Sequence, residues 1–365
     1  MKKNITYLIL IIMMLNISAC STNSQTSNNQ EQKFDIKKAE SLIDNYMIAI
    51  IGEDEAGKNK LLTDKLLKTI KPTNKSDLKI KGYNIEESNE VGDTGVFKVK
   101  VASTSLVSSK SSLDNYIFKV VLENFNYKIG EVKTSLEKEC YYENYGLRIR
   151  NKNDVESKLL IDSDGIPQYG FAQEDKSQAL KLELPRTNFQ NINFDYSGDN
   201  LAISLANKIA FIGIVRISTD SVEAAANQAG ADTSSGGATG GSTQTDKNMG
   251  PREKPVGKEL VPIDALVDCK IDFMVFSPDE KFLLVQYTNN ASRKCLRVYN
   301  SDKGDLIPFK FEENYNVKNL DIKYCYFGKD VLYFEVIPKN DKKDIEKQVA
   351  GMWQIDLKKL KVKKV

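Results

Sequence analysis

The chain of 365 residues contains no histidine and a single tryptophan. Without an imidazole, Ser/His/Asp and Cys/His nucleophilic sites lose their general base, and most catalytic zinc sites lose a ligand. Those reaction classes fit poorly. Cysteine is sparse, five in all, and no two stand at CxxC spacing, which removes the usual thiolate metal motif. An excess of one charge is missing too: 52 Lys and Arg face 50 Asp and Glu, so no global field draws nucleic acid. What is present, 41% hydrophobic and 28% charged residues, is the composition of a folded water-soluble chain with room for about two domains of roughly 150 residues. Disorder throughout, collagen and a polytopic membrane protein are excluded on the same ground.

The N-terminus is the most informative stretch. Lys2 and Lys3 precede an apolar run from Ile5 to Leu15, and Ile17, Ser18 and Ala19 lead into Cys20. A basic region, a short hydrophobic core and small residues thus arrive in signal-peptide order. The run is too short for a comfortable membrane span. With Cys20 directly after the small residues, residues 1–20 resemble the bacterial lipobox, Ile17 standing where Leu is usual. The resemblance implies that residues 1–19 are removed and that Cys20 is the lipid attachment site, carrying at least two acyl chains. Each methylene adds about 0.8 kcal/mol of membrane affinity, enough for stable anchoring at the outer face of the cytoplasmic membrane. Loss of Lys2 and Lys3 leaves basic and acidic residues balanced. Abundant Lys, Asn and Ile are compatible with an A/T-rich, Gram-positive source. Residues 20–33, polar and without apolar periodicity, read as a lipidated disordered tether with a reach of about 20 Å.

Residues 34–150 read as a first domain. Ile36, Ala39, Ile43, Tyr46, Met47 and Ile50 recur at helical spacing after Asp35, an N-cap, and Gly52 supplies a stop. Leu61, Leu62, Leu66 and Leu67 suggest a second helix ending near Pro72. Strands follow around Leu78–Ile80, Phe97–Val101 and Tyr116–Leu122, each alternating with polar residues. Helices first and an antiparallel sheet afterwards predict an α+β domain. The helix Tyr46–Ile51, the break at Gly52, Glu53 and Asp54, the Leu61–Leu67 stretch and the strand Tyr127–Val132 resemble NTF2-like, or cystatin-like, domains. That resemblance implies helices on a curved sheet, used for structure or protein contact. Some family members are enzymes working with Asp and His, and this chain has no His.

Residues 151–365 change character, with short strands between turn clusters. Asn193 to Asp199 lead into Leu201, Ala202 and Ile203, and Asp272 to Asp279 lead into Phe282 to Val285. Two weaker copies stand at Asp162 to Gly165 before Tyr169 to Ala172, and at Phe327 to Asp330 before Val331 to Val336. Ser and Asp hold the turn, and the flanking apolar runs become strands buried between neighbours. The rhythm resembles WD40-like and TolB-like β-propeller repeats, which implies an all-β, β-propeller-like domain. Four units fall short of the usual six or seven, so the alternatives are four blades, an incomplete ring capped by the first domain, or an open sandwich. Residues 218–258 form a Gly/Ser-rich segment expected to be a disordered insertion; removing it brings the repeat spacing to about 40 residues.

Other local signals are weaker. Leu201–Ile217 reads as two buried strands rather than a membrane span. Asp162–Gly165 lacks the later ligands of a calcium loop. Cys140, Cys269, Cys295 and Cys325 allow three disulfide pairings but sit mostly in strand patterns, where buried free thiols are the simpler reading. Lys358, Lys359, Lys361, Lys363 and Lys364 alternate with apolar residues as the solvated face of a last strand would. The sequence therefore predicts a non-catalytic surface lipoprotein, with no cofactor, metal or catalytic residue assigned, held to the membrane through Cys20. It would bind another envelope protein and no nucleic acid. The alternative is a carboxylate-dependent hydrolase acting on cell-envelope glycan, since paired Asp and Glu suffice for that chemistry. A solute-binding component of a transporter would need two α/β lobes, which the strand-rich second half argues against.

Overall fold

In the computed structural model the described residues are 33–70, 76–217, 253–339 and 348–365. The signal segment, nearly all of the tether including Cys20, and most of the expected insertion lie outside them. Helix α1 (Ile36–Ile51) begins where Asp35 accepts hydrogen bonds from the Lys37 and Lys38 amides and stops at Gly52. Two six-residue helices follow, α2 (Glu55–Lys60) and α3 (Asp64–Thr69). Leu61 and Leu62, expected in a helix, lie between them. There the chain takes up strand pairing, with the Thr63 amide donating to Ile129 O and the Ile129 amide to Leu61 O. Packing of Leu62 into the core outweighs the local helical spacing.

The first sheet is a serial antiparallel meander of six strands: β1 (Leu78–Val91), β2 (Thr94–Ser105), β3 (Lys110–Glu123), β4 (Asn126–Glu143), β5 (Gly146–Asn151) and β6 (Lys158–Asp162). A two-stranded ribbon, β7 (Tyr169–Gly170) with β8 (Leu182–Glu183), intervenes. Three further antiparallel sheets complete the fold. The second contains β9 (Phe189–Phe194), β10 (Asn200–Ala206), β11 (Ile209–Ile217) and β12 (Gly257–Val267). The third contains β13 (Lys270–Phe276), β14 (Phe282–Thr288) and β15 (Lys294–Asn300). The short helix α4 (Phe311–Asn314) leads to the fourth, β16 (Leu320–Gly328), β17 (Val331–Pro338), β18 (Gly351–Asp356) and β19 (Lys361–Lys364). Phe34–Val365 forms one compact unit.

Alternation along the strands explains why the sheets stack. Leu201, Ile203 and Leu205 of β10 face a core shared with Leu113, Leu147 and Leu160 of the first sheet, whereas Ala202 faces Ile271 and Met274 of the third. Leu283 and Val285 of β14 point back to the second sheet; Leu284 points on to Ile322 and Phe334 of the fourth. Both faces of these strands are apolar, so each sheet needs a neighbour on either side. The arrangement is propeller-like.

Buried side chains then clip each sheet to the next. Thr104 of the first sheet donates to Ile192 O at 2.7 Å, Asn193 of the second donates to Met274 O at 2.8 Å, and Gln286 of the third donates to Ile322 O at 3.1 Å. The Gln286 amide oxygen also accepts from the Tyr324 amide, and the Tyr324 hydroxyl donates to Lys81 O at 2.9 Å. That last bond returns from the fourth sheet to the first and closes the circuit. Gly82 marks the closeness of the approach: a Cβ there would stand 2.2 Å from the Tyr196 hydroxyl.

The expectation of an α+β, NTF2-like first domain is overturned. Among the described residues 55% lie in strands and 13% in helices, with only four helices, and the chain is mostly β. A helical layer fails to form because α2 and α3 are too short, and because much of the first sheet packs on the second sheet instead of on helices. The weaker repeat proposed at Asp162 is also no blade. Asp162 caps a 3-10 turn (Ser163–Gly165), and only the two-residue strand β7 follows. The repeats at Asn193, Asp272 and Phe327 are the first hairpins of the second, third and fourth sheets. Of the insertion, the described tail departs from disorder: Val256 is buried with its amide on Leu159 O, and β12 starts at Gly257.

Between the second and third sheets Arg297 is held by three carboxylates. Its Nη1 lies 3.0 Å from Asp264, Nη2 3.0 Å from Glu174 and Nε 3.1 Å from Glu312. Asp264, fully buried, also accepts from the Tyr299 hydroxyl at 2.6 Å and from the Gln173 and Ala265 amides. Removing one partner of such a pair strands the other charge. Arg297→Ala is therefore expected to cost about 3–5 kcal/mol in urea unfolding, against about 1–3 kcal/mol for Asn193→Ala, which leaves Met274 O unpaired. Tyr324→Phe should cost about 1 kcal/mol and speed hydrogen exchange where β1 meets β16, with little change around Arg297.

Candidate functional site

Each sheet contributes a strand to one cavity, and each of those four strands carries an extra residue there. On β1, Ile80 and Gly82 face consecutive residues of β2, leaving Lys81 as the bulge. On β9 the surplus falls between Phe189 and Ile192. Asp272 is the extra residue of β13, between Ile271 and Phe273, and Cys325 that of β16, between Tyr324 and Tyr326. A bulge breaks the two-residue alternation and re-aims a side chain. On β9 the cost is met locally, Ser204 accepting from the Asn191 amide and donating to its carbonyl. The cavity these strands border has a volume of about 870 Å³, within the range of small-ligand sites. The C-terminal end of α1, at Ile48 and Ile51, and the β2–β3 turn, at Leu106 to Ser109, form its other walls.

The polar lining is unequal in sign. Lys81, Lys270, Lys294 and Lys323 stand against Asp272 and Glu335. Lys294 is neutralised: its ammonium lies 2.7 Å from Asp272 Oδ2, and the Thr288 hydroxyl is 3.1 Å from both oxygens of that carboxylate. Among the described residues it is the one cavity lysine in an ion pair. Lys270 and Lys323 are exposed at the wall, Lys323 opposite Glu335 in the β16–β17 register. Lys81 is half-buried, 4.8 Å from the centre of the Phe273 ring. Burial of its ammonium holds the Lys81 pKa below the ordinary lysine value, with the Glu53 charge pulling upward and Lys79 adding to the depression.

The remaining groups limit the chemistry. Burial, with Glu335 adding, pushes the Cys325 thiol up to about 12, so it is protonated at neutral pH and is not an activated nucleophile. Ser109 donates to Phe189 O, and the Ser108 hydroxyl lies 2.9 Å from Ser105 Oγ and 3.3 Å from Asp77 Oδ2 on the exposed turn. Gln286 is spent on Ile322 and Tyr324. Among the described residues no three Cys, Asp or Glu side chains converge as metal ligands. The carboxylate chemistry weighed from sequence meets only Asp272 and Glu335 here, and Asp272 is committed to Lys294 and Thr288. The arrangement suits holding an anionic group.

A smaller cavity of about 480 Å³, lined by Tyr169 to Gln173 and Asp264, belongs to the Arg297 cluster, since Gln173 and Asp264 are already hydrogen-bonded there. Of the residues singled out in the sequence, Cys20 lies outside the described residues. Cys140, Cys269, Cys295 and Cys325 are unpaired thiols, the first and third buried. Asp272 and Phe273 were legible as the start of a strand but not as cavity residues. Lys81, Lys270 and Lys323 carried no signal that set them apart from the other lysines.

No family model matches the chain, and no curated protein does. Solved structures to which it is similar include a puromycin hydrolase mutant complexed with PGG, at 7% identity and TM-score 0.30 over 75% of this chain and 45% of that one. TolB from Acinetobacter baumannii is similar at 7% identity and TM-score 0.22, covering 66% and 57%. The β-propeller domain of Myceliophteria thermophila Cps50 (Swd1) is similar at 9% and 0.24, covering 69% and 95%. The chain spans less than half the length of the puromycin hydrolase. The last is a propeller domain by description, but at such scores the likeness assigns neither fold nor activity to this chain; the propeller-like arrangement rests on its own sheets.

The position of Lys81 sets an expectation that a purely structural lysine would not meet. Its native pKa lies below its unfolded one, so between the two values the unfolded state holds more protons and stability rises with pH. Lys81→Met should therefore leave the urea midpoint unchanged or raised at pH 7. Any gain over the parent should shrink as pH climbs toward the ordinary lysine value of about 10.4. Urea titrations at several pH values check this, and a lowered midpoint would assign Lys81 to the fold.

Proposed function

We propose that the chain is a lipoprotein anchored through Cys20 at the outer face of the cytoplasmic membrane, and that it works by binding another envelope protein rather than by turnover. The observation that carries the reading is the convergence of four bulged strands, one from each sheet, on a single cavity whose lysines outnumber its carboxylates. Four departures from regular pairing at one place are a cost to the fold that a packed core does not require. The anchoring part rests on the order of residues 1–20. Among the described residues no helix is long and apolar enough to cross a membrane. The competing reading, a carboxylate-dependent hydrolase acting on cell-envelope glycan, needs two carboxyl groups free for acid and base roles. The engagement of Asp272 with Lys294 and Thr288 disfavours it.

Two measurements test the proposal together. In the native host, intact mass should show a chain beginning at Cys20 with acyl chains attached, and Cys20→Ala should shift the protein out of the membrane fraction. A photoactivatable residue in place of Met352, which lines the cavity, should crosslink one envelope protein at the surface of intact cells, and Lys323→Glu should diminish the adduct. An unacylated full-length chain would overturn the anchoring. Glycan release by the purified protein, abolished by Asp272→Asn, would overturn the binding reading in favour of the hydrolase.

A further inference from the structure

Outside the Lys294–Asp272 pair the charged cavity groups are mostly cationic, three lysines against the one carboxylate of Glu335. Lys81, Lys270 and Lys323 offer hydrogen-bond donors and positive charge, whereas two nearby acceptors are used elsewhere, Asp272 holding Lys294 and Gln286 bonding the backbone of β16, and Glu335, opposite Lys323 in the β16–β17 register, is a single carboxylate facing three lysines. The three lysines stand on β1, β13 and β16, in three different sheets, rather than in a cluster that grips one anion. Between them lie apolar side chains. Along β13 the order is Lys270, Ile271, Asp272, Phe273; along β16 it is Lys323, Tyr324, Cys325, Tyr326.

The mouth continues the pattern. Val107 is 85% exposed and Leu106 43% exposed on the β2–β3 turn, and both border the cavity with Phe189 and Ile51. The turn is held in place by Ser105, whose hydroxyl accepts from the Val107 and Ser108 amides. An apolar lip kept in solvent by a hydrogen-bonded turn, beside lysines in excess over carboxylates, describes a surface for a ligand that alternates negative and apolar groups. A polyol phosphate would satisfy the lysines and leave Leu106, Val107 and Phe273 wet. A phospholipid would gather its charge at one end, whereas these lysines are dispersed.

Resting on the binding role proposed above, we infer that the cavity receives an extended acidic peptide segment of a partner protein, its carboxylates meeting Lys81, Lys270 and Lys323 and its apolar side chains seated on Ile51, Leu106, Val107 and Phe273. The segment enters between the β2–β3 turn and the face of the fourth sheet that carries Lys323 and Met352. Specificity comes from charge spacing, with the bulged Lys81 at the buried end.

The test is selection from a displayed library of random peptides of about eight residues on the immobilised full-length protein. Recovered peptides should be enriched about three-fold or more in Asp and Glu at positions separated by apolar residues, and their binding should weaken with added salt. In fluorescence anisotropy the best peptide should lose about ten-fold in affinity with Lys323→Glu and about five-fold with Lys81→Met, while the remote Lys358→Glu changes nothing. Unfolding midpoints of the variants separate lost binding from lost folding. Recovery of neutral or basic peptides that still crosslink through position 352 would overturn the acidic reading and leave the binding role standing. Displacement of the peptide by phosphatidylglycerol vesicles or polyphosphate, with tighter and lysine-dependent binding, would assign the cavity to a lipid or a polymer instead. Failure to recover any peptide, with no adduct on intact cells, would remove both.

Discussion

A sheet that is apolar on both faces has to be covered on both, and this structure meets that requirement by closing a circle. The closing contact is the Tyr324 hydroxyl on Lys81 O, supported by the packing of Tyr324 and Tyr326 against the core under α1. The preceding junctions are each made by a buried polar side chain reaching a neighbouring backbone carbonyl: Thr104, Asn193 and Gln286. Hydrophobic burial brings the sheets together without fixing how far one slides along the next. Directed hydrogen bonds in a dry interior do fix it, because a slipped sheet would leave those amides and hydroxyls unpaired. The Arg297 cluster does the same at larger scale between the second and third sheets, with a charge that has no tolerable alternative partner.

Closure with four sheets has a consequence for the middle. One strand of each sheet borders the same cavity, and each admits one extra residue there. The bulges break the two-residue alternation and place Lys81, Asp272 and Cys325 in the cavity lining. Its positive excess is local, since the whole chain is close to neutral. Association with a partner would depend on short-range complementarity more than on steering by net charge.

The role of the N-terminal segment changes in this light. Its six strands are a meander whose two ends do different work: Phe97, Val99, Phe118 and Val120 pack under α1, while Leu113, Leu147, Ile149 and Leu160 pack against the second sheet. It is the fourth wall of the ring instead of a separate helical domain. Three of the four repeats proposed from sequence begin the other sheets, and β1 occupies the place that the repeat near Asp162 was expected to supply.

The sequence by itself determined the elements that depend on near neighbours. Asp35 as a cap, Gly52 as a stop, the β9–β10 hairpin with its Asp195 and Ser197 turn, the β13–β14 hairpin with Ser277 and Asp279, and Leu201–Ile217 as two strands follow from spacing and turn chemistry over a few residues. Only the tertiary structure decided that Leu61 and Leu62 leave the helix to pair with Ile129, that the first sheet joins the ring, and that Lys81, Lys270 and Lys323 share a cavity. A bulge has no residue signature, and one lysine among many is set apart by what surrounds it. Those surroundings come from strands up to 243 positions away, as in the bond between Tyr324 and Lys81, where no local pattern reaches.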